Sequence, residues 1–388
     1  MVGTVLGPPF SEQMGAAERL ANLRREEQEL KKKLTPDEKQ QSIQVIQRAV
    51  QLHPDDVRLR MVLLQAYIQQ RNWDPALHEL QAILKVWPED PGVILKLAIV
   101  SDGKGDAVSA EHYFRRLTEE LPTSDTFSAL ADFLLAQNRA SEALVIVDEL
   151  LRQHDDLNLR AKRALILAGT DSIAASESEY RKILKQAPQF VDALIGLAAI
   201  LMSRGELLDA ESCAQRALTT NRTSYDAQLL LATLKLQQNS LNEAKAYAQG
   251  IIDSDSEATG AHLVLARLES QQGNHAMAIH HLREEIRIEP QLQAKQMLAW
   301  LLATSRDSTM RNGTEAVSLA TELSQQAGTS PQILVTLAAA YAEAGRYDNA
   351  QSFAKQALQY AETANALEFA LIIRKQLEQY VNNQPWRE

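Results

Sequence analysis

Three side chains in the stretch NHAMAIHHLREE are of types that bind transition metals: His275, His280 and Glu284. Imidazole and carboxylate groups are ordinary zinc ligands, and two histidines four residues apart lie on one face of a helix. His275 and His280 are five residues apart, a spacing that places their side chains poorly on a common face. The pattern therefore favours histidines on the surface of an amphipathic helix over a metal site.

The other reactive groups also have ordinary structural interpretations. The acidic pairs Asp55-Asp56 and Asp155-Asp156 fall where helices are expected to begin, and a carboxylate there accepts hydrogen bonds from free backbone N–H groups. Cys213 is the single cysteine, so an intramolecular disulfide is excluded, and its position predicts a small buried residue of a packed helix. No phosphate-binding, dinucleotide-binding or nucleophile-elbow motif occurs. We therefore predict a protein without catalytic activity, cofactor or metal.

Composition and charge narrow the class of partner. The net charge is −10 and the isoelectric point about 5.4, which argues against nucleic acid because phosphate binding needs clustered Lys and Arg. No run of about 18 apolar residues is present, so membrane insertion is not expected. The stretch MVGTVLGPPFSEQMG lacks the features of a signal peptide, which predicts a cytoplasmic protein. A periplasmic location stays open if the true N-terminus is missing.

Two series of small residues, called the small-residue ladders below, recur every 33 or 34 residues along most of the chain. Small side chains at fixed places let neighbouring helices cross with axes about 8–10 Å apart. The first ladder consists of Ala98, Ala131, Ala164, Ala198, Ala232, Ala266, Ala299 and Ala338. The second consists of Ala76, Ala110, Ala143, Ser176, Ala210, Ala244, Ala278, Ala316 and Ala350. Two ladders with one period predict an array of two-helix repeats.

The ladders also define where the repeats begin and end. Both lengthen by about five residues after Ala299, which indicates an insertion near 304–313. The sequence predicts an N-terminal tail and charged capping helix over 1–36, a partial first repeat over 37–56, nine repeats over 57–364, and a C-terminal capping helix and tail over 365–388.

The period, the ladders and the aromatic residues Trp73 and Tyr347 near the start of second helices resemble those of tetratricopeptide repeat proteins. The repeats are degenerate, and the end of the chain resembles the C-terminal arrays of long bacterial members of that family. The resemblance implies an all-α fold, a right-handed superhelical α-solenoid of helix-turn-helix repeats. It also implies a concave groove, lined by the first helices, that binds peptides or proteins.

The repeat frame places four positions of each first helix toward that groove: the fifth, ninth, twelfth and thirteenth residues. The polar candidates are Gln65, Gln69, Thr233, Gln237, Arg267 and Gln271. They predict a non-catalytic interaction scaffold whose partner is a protein or peptide. Two alternatives stay open: a structural solenoid that self-associates, which would make the chain a homo-oligomer, and the interaction module of a larger bacterial assembly or of an envelope- or glycosylation-related system.

Overall fold

The structure, a computed structural model, describes residues 36–153, 156–170 and 172–387. These residues form 20 α-helices and one short 3₁₀ helix, and no strand occurs among them. The predicted all-α fold is therefore confirmed. The charged capping helix predicted before Pro36 lies outside the described residues.

The chain divides into two compact units, 1–200 and 201–388. The first unit contains nine complete helices and most of a tenth. They are α1 (Pro36–Leu52), α2 (Val57–Gln69), α3 (Trp73–Leu84), α4 (Pro91–Gly103), α5 (Ala107–Glu120), α6 (Ser124–Ala136), α7 (Ala140–Gln153), α8 (Leu157–Ala168), α9 (Ile173–Gln186) and α10 (Val191–Ser203).

The second unit contains ten helices and the 3₁₀ helix. They are α11 (Leu207–Thr220), α12 (Tyr225–Gln237), α13 (Leu241–Ser254), α14 (Ala261–Gln271), α15 (His275–Ile288), α16 (Leu292–Thr304), the 3₁₀ helix (Ser308–Met310), α17 (Gly313–Ala327), α18 (Pro331–Glu343), α19 (Tyr347–Thr363) and α20 (Leu367–Val381). Within each unit, the most extensive helix contacts join neighbours in sequence.

Short left-handed turns separate the two helices of most pairs. The turn residue is Arg71, Gly105, Asn138, Gly205, Asn239, Gly273 or Gly345, and each has a positive φ. After Gly345 (φ 73°), the N–H of Arg346 donates to the carbonyl of Tyr341 at 2.8 Å. This bond satisfies a carbonyl that the helix end leaves free, and glycine or asparagine adopts the required φ at little cost. The turn therefore reverses the chain within a few residues and makes the two helices neighbours.

Both small-residue ladders are fully buried. Each member from Ala98 to Ala338 and from Ala76 to Ala350 has an exposed fraction of 0%. Ser176, the polar member, donates its hydroxyl to the carbonyl of Ala164 at 2.6 Å, so the two ladders meet inside one helix pair. The small residues therefore lie at the helix crossings that the sequence period predicted.

Helix caps account for the acidic residues at the repeat ends. The carboxylate of Asp56 accepts from the N–H groups of Arg58 and Leu59 at 2.9 and 3.3 Å, at the start of α2. Asp156 accepts from Asn158 at 2.6 Å at the start of α8. The predicted capping role is confirmed for both. Cys213 is buried in α11, as its position predicted.

Candidate functional site

A pocket of about 340 Å³ lies on the first-helix side of the second unit. Side chains from four helices line it, and three of these are the first helices of consecutive pairs. The lining residues are Arg267 on α14, Gln293, Gln296, Met297 and Trp300 on α16, Gln332, Val335 and Thr336 on α18, and Phe369 on α20. We call this the α14–α20 pocket.

Helical spacing explains how α16 and α18 each present several side chains to the pocket. On α16 the lining residues are at i, i+3, i+4 and i+7, counted from Gln293, and on α18 at i, i+3 and i+4, counted from Gln332. Residues at these spacings share one face of a helix. The adjoining faces carry ladder residues such as Ala299 and Ala338, which are fully buried. Gln293 and Gln332 are exposed at the rim of the pocket, whereas Val335 and Thr336 are buried at its base.

Arg267 is the charged residue of the pocket. Its side chain is half-buried, and it forms no hydrogen bond or ion pair with any other described residue. Burial lowers the pKa of its guanidinium, although an arginine remains charged at neutral pH. Neither Asp nor Glu is among the lining residues. The pocket therefore holds a positive charge without an acidic partner.

Three amides supply neutral hydrogen-bonding groups. Gln293 and Gln332 are exposed and Gln296 is half-buried. Within the described part of the chain, none of the three amide side chains forms a hydrogen bond. An amide both donates and accepts, so these groups match the alternating N–H and C=O groups of a peptide backbone.

The floor of the pocket is apolar. Met297 and Trp300 are half-buried and pack against the core formed by α14 to α18. Phe369 is half-buried and packs against the core formed by α18 to α20, which Trp300 also contacts. A side chain bound here would remove apolar area from water at about 25 cal/mol per Å².

The structure places the six sequence-predicted groove residues differently. Arg267 lines the pocket. Gln65 is 9% exposed and its amide oxygen accepts from Lys96 at 2.8 Å. Thr233 is half-buried and donates to the carbonyl of Leu229 at 2.9 Å. The remaining three, which lie at the C-terminal ends of their helices, are exposed: Gln69, Gln237 and Gln271.

The predicted groove residues lie on α2, α12 and α14, whereas most of the pocket is lined by α16 and α18. The fifth and ninth positions of the sequence frame, continued into α16 and α18, give Gln296, Trp300 and Val335. The second position of the helix is Gln293 in α16 and Gln332 in α18, and the sixth is Met297 and Thr336. Neither position is among the four of the frame. Adding those positions, one helical turn toward the N-terminus, would have found them.

The histidines do not form a metal centre within the described residues, where no group of three His, Cys, Asp or Glu side chains is close enough to hold an ion. His280 is exposed, but His281 is half-buried, and its Nδ1 lies 3.0 Å from Nδ1 of His262. His275 Nδ1 lies 3.2 Å from the hydroxyl of Ser305. The surface interpretation therefore holds for His280, whereas His275 and His281 are half-buried, and His281 is paired with the buried His262.

A second cavity of similar volume lies between α6 and α7 in the first unit. It is lined by Pro122, Ser124, Phe127, Val145, Ile146, Glu149 and Leu150. It is formed by one helix pair and lacks the row of amides. The α14–α20 pocket, whose cation has no acidic partner among the described residues, is therefore the stronger candidate.

None of the described helices is long and apolar enough to pass through a lipid bilayer.

The protein-family models that match this chain all describe the same repeat. Models of the tetratricopeptide repeat match residues 63–125, 103–166, 229–292 and 331–363, which together span just over half of the chain. A curated relative, cellulose synthase 1 operon protein C of Komagataeibacter xylinus, is 29% identical over 44% of this chain. That alignment spans 15% of the length of the relative.

Two solved structures are among the matches. A chain of the APC/C hetero-tetramer Cut9–Hcn1 superposes with a TM-score of 0.60 and 12% identity, covering 82% of this chain and 64% of that one. A tetratricopeptide repeat protein from Parabacteroides merdae gives a TM-score of 0.46 and 18% identity, covering 64% of this chain and 98% of that one. At this identity, the likeness to Cut9–Hcn1 concerns the fold.

Proposed function

We propose that this chain, which is a tetratricopeptide repeat protein, binds an extended segment of another protein in the α14–α20 pocket. Proteins of this family act as interaction scaffolds, and the fold is typically non-catalytic. The observation that carries the proposal is that the amides of Gln293, Gln296 and Gln332 form no hydrogen bond within the described part of the chain. They lie in the same pocket as the half-buried indole of Trp300.

Physical chemistry favours a peptide as the ligand. The amides of α16 and α18 offer donors and acceptors that no other described residue uses, and an extended backbone needs both. The pocket also has an apolar surface, formed by Met297, Trp300 and Phe369. Only a ligand that carries apolar side chains can pack against this surface. A small polar metabolite would use the amides and leave this surface exposed to water, so a protein segment fits the lining better.

The other predicted groove residues are expected to contribute to binding to different extents. Gln237 and Gln271 are exposed at the ends of first helices and form no hydrogen bond with described residues, so we propose that they lengthen the binding surface beyond the pocket. Gln69 has the corresponding place in the first unit. Gln65 and Thr233 already hydrogen-bond within the chain, and we assign them a smaller part.

We also propose that the nine helix pairs from α2 to α19 are the nine repeats of 57–364, with α1 as the second helix of a partial repeat. In this division α20 is the C-terminal cap. It buries Ile373 and Tyr380 against the core of the last pair, as a cap must.

Site-specific photo-crosslinking tests the proposed function. A benzophenone amino acid replaces Gln293 or Gln332, which are exposed in the pocket, and in a control it replaces Lys355, which is exposed on the second helix α19. We expect irradiation in the native host to join the two pocket variants to the same partner, identified by mass spectrometry. The control should give little of that product.

The products also separate the alternatives. A partner that crosslinks from Lys355 and not from the pocket would contradict the proposal. Dimers of this chain crosslinked through the pocket would replace it with self-association.

A specific observation favours a second function, that of an interaction module within a larger bacterial assembly. The curated relative belongs by name to a cellulose synthase operon and is far longer than this chain. If this alternative holds, the crosslinked partner will co-purify with several other proteins in a fixed ratio. A single binary complex would argue against it.

A further inference from the structure

The cations of the second unit are paired with acidic groups wherever they are buried or half-buried, with one exception among the described residues. Lys235 lies 2.7 Å from Glu211, and Lys295 lies 2.5 Å from Glu322. Arg311 lies 3.0 Å from Glu343. Further described cations of this unit are exposed, so water solvates their charges; they include Arg222, Arg306, Arg346, Lys355 and Lys375.

Arg267 is the exception. It is half-buried in the α14–α20 pocket and forms no hydrogen bond or ion pair with another described residue. Taking a charge partly out of water costs free energy, and an opposite charge with good geometry recovers it. In the unbound protein, no described acidic group offsets the desolvation free energy of this guanidinium. A ligand that supplies an anion would offset it.

We propose that the segment bound in the α14–α20 pocket carries an aspartate or glutamate that pairs with Arg267. This inference rests on the proposed function and names the chemistry of the partner. A guanidinium and a carboxylate can form two parallel N–H···O bonds, which fixes the direction and register of the ligand.

The rest of the lining places a second requirement on the segment. Trp300 lies on the next first helix, α16, and neighbouring helix axes are roughly 10 Å apart. An extended chain advances about 3.3 Å per residue, so this distance corresponds to about three residues. We therefore infer an apolar residue about three positions from the acid, packed against Trp300, Met297 and Phe369.

Selection from a random peptide library tests both requirements without knowledge of the natural partner. Dodecapeptides displayed on phage are selected on the full-length chain. We expect the enriched sequences to contain Asp or Glu about three positions from an apolar residue. A selection that enriches no acidic peptide overturns the inference.

One enriched peptide, made with Glu and with Gln at the acidic position, then enters a double-mutant cycle with Arg267→Gln. Fluorescence anisotropy should show at least tenfold weaker binding of the Gln peptide to the unmodified chain. Arg267→Gln should bind both peptides alike, while the exposed control Arg222→Gln should keep the tenfold difference. Arg267→Lys, which keeps the charge without the forked geometry, should keep part of it.

The same peptide separates failure of this inference from failure of the proposed function. A photoreactive leucine at its apolar position should crosslink to α16, α18 or α20. Crosslinks there, with equal affinity for the Glu and Gln peptides, would overturn the acidic requirement and leave the pocket intact. Crosslinks confined to other helices would contradict the proposed function as well.

Discussion

The carboxylate of Glu343 lies 2.5 Å from the guanidinium of Arg387, which joins the last described residues of the chain to the end of α18. The same carboxylate lies 3.0 Å from Arg311, in the segment between α16 and α17. Arg311 in turn donates to the carbonyls of Ser305 and Arg306 at 3.0 and 3.1 Å. Glu343 is therefore the shared acidic partner of two segments that are far apart in sequence.

Removal of this carboxylate should loosen both segments. Glu343 is 14% exposed, so Glu343→Ala should cost about 1–2 kcal/mol, between the values for surface and buried pairs. Hydrogen exchange should rise at Asn312, whose N–H donates to Leu302 at 3.0 Å, and protection in α13 should not change. Glu362→Ala, which removes the acid of an exposed ion pair with Arg374, is the matched control. Equal exchange at Asn312 in both variants would show that Glu343 does not hold the segment.

The small-residue ladders make a prediction about packing that a single helix can test. Ala244 and Ala246 lie on α13, and the first is fully buried while the second is exposed. Ala244→Leu should overpack the crossing and lower the free energy of unfolding by roughly 1–3 kcal/mol. Ala246→Leu should change it by about 0.5 kcal/mol or less. Similar denaturant midpoints for the two variants would contradict the packing seen at the ladder.

Glu285 caps a helix to which it does not belong. Its side chain on α15 has an exposed fraction of 0%, and it accepts from the N–H groups of Gly260 and Leu263 at 2.6 and 3.2 Å, at the start of α14. Glu285→Ala would leave one buried and one half-buried donor unsatisfied and should cost roughly 2–4 kcal/mol. Glu284→Ala, which removes a half-buried partner of Arg287, should cost about 1 kcal/mol or less. Chemical denaturation measures both, and a small effect at Glu285 would show that water replaces the cap.

The fold could be predicted from the sequence because its key residues are constrained locally and repeatedly. A crossing such as that at Ala232 or Ala278 admits only a small side chain, and the same crossing recurs in every pair. The left-handed turns recur for the same reason, with Gly or Asn at most of them. A periodic constraint leaves a periodic pattern in the sequence.

The site could be predicted only in part because polar partners are chosen across helices. The frame identified Arg267, but it could not show that Gln65 would bond to Lys96, 31 residues away, while Arg267 would have no partner among the described residues. Likewise, the proximity of His281 to His262 depends on how α15 packs on α14. A polar side chain either hydrogen-bonds within the chain or stays available to a ligand. Which of the two occurs depends on contacts between helices, and no spacing in the sequence predicts those contacts.

The pair of His262 and His281 should make stability depend on pH. Burial lowers the pKa of His281 to about 4, with a further contribution from the charge of His262, and burial also lowers the pKa of His262. In the unfolded chain a histidine titrates near pH 6.5. Because the folded pKa is the lower one, the stabilising contribution is complete above about pH 6.5 and is lost as the pH falls toward about 4.

Thermal unfolding between pH 7 and pH 4.5 measures this loss, and His281→Asn isolates it. Asparagine does not titrate and can still hydrogen-bond to His262, so the melting temperature of this variant should fall less steeply with acidification than that of the unmodified chain. Carboxylates remote from His281 titrate alike in both proteins and cancel in the difference between the two slopes. Glu269, which interacts with His281, is the carboxylate whose titration the substitution can alter. His53→Asn, at an exposed position, should retain the unmodified slope. If His281→Asn loses stability as steeply as the unmodified chain, the buried pair does not titrate in this range and its neutral form is not what the fold requires.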